Sequence, residues 1–356
     1  MLTCFAGDKA LKHIKENGLH PEDVSAVFGA SGAAKWITIA GLDSAILSEW
    51  LPQSSHSVHL YGCSIGAWKF AAAAQADCKQ SLGKLAHAYI EQRYGDKASM
   101  QDVIRETERI VDACFNAQSV SDILGNEKYF LHCGTTRCSG LMASENRVAQ
   151  ASGMAIANMR NLLARKNLKY CFERVVFSDK RAASLISAKD GIPTECYELE
   201  KENLIQTVLA SGSIPFVMPG QKNIPGASEG MYRDGGLIDY HPVPSNFWKE
   251  NGGIHLYPHF YSTLTPGWLD KPLKSRMARN KQLANVVLLS PDKKFIENLP
   301  YGRIPDRKDF SRFIGQDQKR IDGWYDCLEK SYLLGEEFLR LIKSGELVDR
   351  LQQFPD

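Results

Sequence analysis

The feature that most restricts the fold of this chain is the stretch Val58-His59-Leu60-Tyr61-Gly62-Cys63-Ser64-Ile65-Gly66-Ala67-Trp68. Apolar residues lead into Gly-x-Ser-x-Gly, and an Ala-rich segment through Ala71 to Ala74 leads out. That order predicts a strand, a sharp turn and a helix, an elbow that lifts one serine hydroxyl out of a sheet to a helix N-terminus. Gly62 and Gly66 fit a crowded turn in which a Cβ would clash. Ser64 is therefore the candidate nucleophile.

Such an elbow needs a sheet behind it and helices around it. Short apolar runs predict strands at 24–28, 57–62, 128–133, 172–177 and 284–290, with a strand or loop near 231–233. Helical periodicity covers 8–17, 36–50, 79–94, 100–116, 146–166 with Ala and Met on one side, and 203–211 with Asn203 capping; it resumes from Asp309 to the end. Alternating strands and helices predict an α/β fold with a largely parallel sheet covered on both faces, a three-layer α/β/α arrangement with additional C-terminal helices. Residues 1–308 are expected to form one domain, and 309–356 a helical extension packed on it. The apolar and aromatic residues of the last helices read as core packing rather than as a lid or a membrane-facing surface. Trp268 and Trp324 fit either role.

Charge and cysteine content narrow the function classes. Lys plus Arg total 43 and Asp plus Glu total 41, a net charge of +2, which argues against a general nucleic-acid binder. Lys271, Lys274, Arg276, Arg279 and Lys281 read as a solvated basic face. The 9 cysteines show no paired spacing and predict free thiols in a reducing compartment. The first eight residues lack the pattern of a secretory signal, and no apolar run reaches the length of a membrane span. A soluble, cytoplasmic protein is the expectation.

A serine hydroxyl needs a base within about 2.6–3.2 Å. It also needs donors for the oxyanion of the tetrahedral intermediate, each worth roughly 3–4 kcal/mol. The loop Gly29-Ala30-Ser31-Gly32-Ala33-Ala34-Lys35, between a buried strand and the next helix, can present consecutive N–H groups. It matches neither of the phosphate-binding spacings G-x-x-x-x-G-K-[ST] and G-x-G-x-x-G. Asp234-Gly235-Gly236 can hold a carboxylate in a turn that other groups approach closely; Asp-Gly is also a common plain turn.

An oxyanion-type loop, a serine elbow and a distant Asp-Gly-Gly, in this order, resemble the patatin-like acyl hydrolases. Ala210-Ser211-Gly212-Ser213-Ile214-Pro215 is similar to that family's Ala-Ser-x-Ser-x-Pro stretch, and Pro242 fits its Asp-Gly-Gly segment. The resemblance covers residues 24 to about 245. It implies a Ser-Asp dyad: Ser64 attacks an ester carbonyl, and Asp234 takes its proton and later activates water. Backbone N–H groups of Gly29, Ala30, Ser31, Gly32, Ala33 and Ala34, centred on Gly32 and Ala33, would hold the oxyanion. Gly62, Gly66, Gly235 and Gly236 would support the elbow and the turn. The implied substrates are carboxylic esters of lipids, such as a phospholipid or lysophospholipid, with no metal, organic cofactor or nucleic acid involved; peripheral membrane contact stays open. The loop departs from the family in one respect: the basic residue, Lys35, stands one place later, and Trp36 replaces the Gly that follows it. Other readings are a Ser-His-Asp esterase using His241, His255 or His259, a nucleotide-binding α/β domain using the Gly29 loop, and a non-catalytic binding protein that kept the fold.

Overall fold

The computed structural model describes residues 1–94, 99–182, 185–249 and 252–355. Its strands are β1 (Leu2–Ala6), β2 (Val24–Gly29), β3 (Val58–Cys63), β4 (Tyr129–Cys138), β5 (Phe172–Ser178), β6 (Thr194–Glu198), β7 (Gln221–Lys222), β8 (Met231–Asp234), β9 (Ile254–Pro258), β10 (Val286–Pro291) and β11 (Leu351–Gln353). They form one mixed sheet in the order β11-β1-β10-β9-β2-β3-β4-β5-β6, with β8 added against β4 and β7 against β8. The run β10-β9-β2-β3-β4 is parallel. β2 and β3 are buried along almost their whole length, as parallel strands covered on both faces must be.

Four short strands, β1, β6, β7 and β11, lie outside the sequence expectation, while β9 covers the Tyr257-Pro258 segment that reads as strand and turn. β11 contradicts it, because the chain was expected to stay helical to its end. Leu351–Gln353 extends instead because β1 offers it a parallel edge, with Cys4 opposite Leu351. Short, half-polar edge strands carry little periodic signal of their own, and a partner far away in the chain supplies their hydrogen bonds.

β4 is the strand that places the site. It is 10 residues long and continues past the expected end at 133 through Gly134-Thr135-Thr136-Arg137-Cys138. β5 runs antiparallel along one of its edges, over His132 to Cys138. On the other edge, Tyr129 to Gly134 pair in parallel with β3, and Thr135 to Cys138 pair antiparallel with β8. β3 and β8 therefore lie end to end on one edge, with their C-termini facing. Cys63 sits opposite Gly134, and Asp234 opposite Thr135, the next residue.

The helices are α1 (Asp8–Asn17), α2 (Ala40–Ser44), α3 (Ile65–Ala73), α4 (Cys78–Ile90), α5 (Met100–Cys114), α6 (Ala117–Gly125), α7 (Arg147–Leu163), α8 (Leu204–Ser211), α9 (Lys293–Glu297), α10 (Asp309–Arg312), α11 (Asp317–Ser344) and α12 (Leu347–Arg350). Residues 36–50 are helical as expected but change pitch, from 3₁₀ over Ala33–Ile39 through α2 to a π-helical turn over Ala45–Trp50. Asn203 precedes α8 without capping it: its side-chain oxygen accepts the amide of Glu200 instead. α11 packs along α2, where the Ser331 hydroxyl accepts the amide of Gly41 at 2.9 Å. Leu328, Leu334, Phe338 and Leu341 of α11 are buried in the main core, as core packing requires. Trp324 is buried there too. No helix among the described residues is long and apolar enough to cross a membrane. All 9 cysteines are free thiols.

A buried ion pair ties the 3₁₀ segment and α2 to α3. Lys69 Nζ lies 2.8 Å from both carboxylate oxygens of Asp43, and the Trp36 indole donates to the same carboxylate at 2.7 Å. Burial raises the pKa of Asp43 and lowers that of Lys69, while their contact pulls each back towards its charged form. Removing one partner of such a pair leaves an uncompensated charge in the core. Asp43→Ala is therefore expected to cost about 3–5 kcal/mol in urea unfolding. The double change Asp43→Leu with Lys69→Met should recover more than half of that loss.

Candidate active site

The elbow takes a conformation that few side chains adopt. Ser64 has φ 54° and ψ −130°, in the left-handed half of backbone space, and α3 starts at the next residue. Such a residue costs on the order of 1–3 kcal/mol unless its surroundings fix it. Here the Ser211 hydroxyl accepts the Ser64 amide at 2.9 Å and donates to the Gly134 carbonyl of β4 at 2.7 Å. The Ser64 carbonyl accepts the amides of Ala67 and Trp68. A Cβ on Gly62 would stand 2.3 Å from the backbone of Gly66, and one on Gly66 would stand 2.4 Å from the Gly29 carbonyl. The two glycines let α3 fold back onto β3 and β2.

Asp234 ends β8 and opens a short 3₁₀ turn. Its carboxylate accepts the amide of Gly236 at 2.7 Å, and its own amide donates to the Ser213 carbonyl. A Cβ on Gly235 would meet the Gly134 carbonyl at 2.3 Å, and one on Gly236 would meet the Ser31 hydroxyl at 2.6 Å. The pair of glycines thus seats the turn between β4 and the Gly29 loop. Both Ser64 and Asp234 are buried, and both line one cavity of about 160 Å³. Burial pushes the Asp234 carboxyl up to about 6, against the hydrogen bonds from Ser64 and Gly236, which lower it. A carboxylate with that pKa is a better proton acceptor than one in water.

The loop 29–34 divides in two. Gly29 lies in β2 opposite Gly62, and neither it nor Ala30 nor Ala34 lines the cavity. Ser31, Gly32 and Ala33 do. The Ser31 amide is committed to the Tyr240 carbonyl at 2.8 Å, and its hydroxyl donates to the Cys63 carbonyl at 3.3 Å. Ser31 thereby joins the loop to the elbow and to the segment after Asp234. Gly32 and Ala33 stand at the N-terminus of the 3₁₀ segment, where the first amides have no intrahelical acceptor. Ile65, the first residue of α3, is in the same position and was missed in the sequence; the elbow's own helix N-terminus is the signal for it.

The displaced basic residue has a different use. Lys35 is half-buried and lines the cavity, and loss of hydration lowers its pKa. The loop is anchored one residue further on, by Trp36 through Asp43 and Lys69. Lys274, Arg279 and Lys281 are exposed, as a solvated face requires, and so is Lys271. Its residue reaches solvent, but its Nζ is drawn to 3.8 Å from the centre of the Tyr240 ring at the cavity mouth. Arg276, from the same stretch, instead pairs with Asp270 and Asn161. Arg307 and Lys308 complete the mouth, with Asp306 as its one acid. Trp268 also lines this cavity.

None of the three candidate histidines lines it. His241 is buried, its Nδ1 accepts the Thr265 amide at 3.0 Å, and burial holds its pKa well below the usual imidazole value. His259 Nδ1 accepts the Tyr261 amide, and burial lowers its pKa to about 3. His255 lies in β9, on the wall of a separate cavity. Among the described residues, no group of three His, Cys, Asp or Glu side chains could hold a metal ion.

No protein-family model matches this chain, and comparison with curated proteins and with solved structures finds no match either. The site has to be read from its own geometry.

Two supporting groups escaped the sequence reading. Arg174 of β5 grips Asp239 through two bonds of 2.6 and 3.0 Å, anchoring the segment that follows Asp234. Gly134 accepts the Ser211 hydroxyl and lies beneath both Cys63 and Gly235.

A raised carboxyl pKa has a stability consequence with a definite sign. Between about pH 4 and 6 the folded chain holds a proton on Asp234 that the unfolded chain has lost, so stability falls as pH rises through this window. The rise above the ordinary carboxyl value corresponds to about 3 kcal/mol. Asp234→Asn should therefore be more stable than the parent at pH 8, and the difference should vanish near pH 4. Thermal unfolding of both proteins across this range checks it.

Proposed function

We propose that this protein is a serine acyl hydrolase of patatin type, working through a Ser64-Asp234 dyad within a three-layer α/β/α fold. The observation that carries the reading is the meeting of a strained elbow serine and a desolvated carboxyl in one cavity. Ser64 Oγ attacks the ester carbonyl carbon and its proton passes to Asp234. The oxyanion sits against the amides of Gly32 and Ala33, with Ile65 at the N-terminus of α3. Collapse of the intermediate breaks the bond to the alcohol, which takes the proton from Asp234. Water then gives a proton to Asp234, attacks the acyl-enzyme, and releases the carboxylic acid and free Ser64.

The surroundings of Ser64 favour an amphiphilic ester. Ser64 also lines a second, larger cavity of about 390 Å³, walled by Trp68, Val103, Ile110, Val217, Met218 and Phe310. That arm suits an acyl chain. The other arm, edged by Lys35 and Lys271 and sharing Arg307 and Lys308 with the first, suits an alcohol portion that carries negative charge.

A fluorophosphonate probe tests the dyad. The parent protein should be labelled, Ser64→Ala should not, and Asp234→Asn should react slower by about 10³-fold or more. Labelling of Ser64→Ala at the parent rate would reject the nucleophile. The base must be ionised to act, so kcat/KM on a neutral ester should rise with pH to a plateau, half-maximal near the Asp234 value of about 6. A flat profile from pH 5 to pH 8 would reject Asp234 as the base.

A further inference from the structure

Helix α7 is built inside out. Its buried residues are Gln150, Gly153, Ala157 and Asn161, which are polar or small. The polar ones are fully employed. Gln150 accepts the Phe216 amide and donates to the Ser144 carbonyl, while Asn161 donates to Asp270 and accepts from Arg276. The large apolar side chains point outward instead. Val148 is 75% exposed, Met159 67% and Leu163 82%, and Ile156 and Leu162 are exposed beside them. The spacing 148, 156, 159, 163 keeps these side chains on one face of a 3.6-residue helix. An ordinary surface helix turns such a stripe to the core. A contiguous apolar face left in water marks a surface that something else covers.

Charge and position say what covers it. From 147 to 172 the chain carries Arg147, Arg160, Arg165, Lys166 and Lys169, and no Asp or Glu. Arg165 is turned inward to Asp190, Asp239 and Asp270. Lys166 and Lys169 stay exposed at the end of the stripe, and Arg160 and Lys169 lie over the ring of the exposed Tyr170. Aliphatic side chains flanked by lysine, arginine and an amphipathic ring are the composition of an interfacial helix. The face also borders the site. A groove between α7 and the 268–272 segment is lined by Ala151, Met154, Ala155 and Trp268, and Trp268 also walls the cavity of Ser64 and Asp234.

We infer that the outer face of α7 docks this protein on an anionic lipid surface, with the mouth of the Ser64 cavity beside the bilayer. The docking stands without the hydrolase reading; that reading gives it a purpose, the delivery of an acyl ester from the membrane. The basic groups would strengthen binding to an anionic surface by about fivefold each.

The test uses the full chain with Ser64→Ala, so that binding is measured without turnover. It is mixed with vesicles of phosphatidylcholine alone, or of phosphatidylcholine with phosphatidylglycerol, and sedimented. Binding to the anionic vesicles is expected, weaker in high salt. Met159→Glu with Leu163→Glu should weaken it by about tenfold or more. Lys166→Gln with Lys169→Gln should remove the preference for anionic vesicles. Both sites are exposed, so thermal unfolding should not change. With Ser64 restored, Met159→Glu with Leu163→Glu should hydrolyse a short soluble ester at the parent rate. Absence of binding to anionic vesicles, equal binding to both vesicle types, or unaltered binding by the double variants would overturn the proposal. So would a dimer in sedimentation velocity that Met159→Glu with Leu163→Glu converts to monomer, since the face would then be covered by a second copy.

Discussion

Everything at the site depends on one strand edge being shared. β3 and β8 run towards each other along the same side of β4, and neighbouring residues of β4, Gly134 and Thr135, fix where they stop. The hydroxyl of Ser64 and the carboxyl of Asp234 approach head-on, along the strand direction. A purely parallel sheet could not do this, because all of its strand ends would point the same way. The antiparallel β8 is what brings the acid in. Gly134 is the pivot, since a Cβ there would strike the Cys63 sulfur at 2.4 Å, and its carbonyl takes the Ser211 hydroxyl. One residue without a side chain thus serves the elbow, the acid turn and the Ala-Ser-x-Ser segment together.

The same architecture holds groups in states they would not choose alone. Ser64 and Ala33 have positive φ, Asp234 is desolvated, and the Asp43-Lys69 pair is sealed in the core. Each is unfavourable in isolation; Ser64, Ala33 and Asp234 line the cavity, and the pair holds Trp36, next to the cavity residue Lys35. The buried pair is better understood as a fixture than as a source of stability. Its desolvation offsets much of its attraction, but its geometry admits only one placement of Trp36 and therefore of the loop. This also explains how the loop tolerates a basic residue one place out of step. With Trp36 as anchor, Lys35 is released to face the cavity, where it joins Lys271, Arg307 and Lys308.

Much of this was legible in the sequence because it is local. The elbow, the apolar runs of the central strands and the Asp-Gly-Gly turn are each set by a few consecutive residues whose sizes admit little else. What could not be read was pairing. The second half of β4 looks polar, with Thr135, Thr136 and Arg137, and is strand only because β5 and β8 clasp it from both sides. β11 is strand because β1 lies some 350 residues away in sequence and beside it in space. The loop's amides could be grouped but not sorted, since it is the Tyr240 carbonyl that takes Ser31 out of the donor set. The cations of the mouth come from three separate stretches, and their convergence has no signature in any one of them.

α7 shows a subtler limit. Periodicity reveals that a helix has two unlike faces, and the usual next step turns the apolar one inward. That step assumes the inward face has only packing to do. In α7 it has hydrogen bonds to make: Gln150 secures Phe216, next to the cavity residue Pro215, and Asn161 secures Asp270, close to Trp268 and Lys271. The polar face turns in because the walls of the site need those amides, and Gly153 and Ala157 let the helix approach closely enough to supply them. The apolar face then has nowhere to go but out. An exposed aliphatic stripe is thus the far side of the same helix that braces the cavity, and whatever binds the stripe bears directly on the residues that wall Ser64.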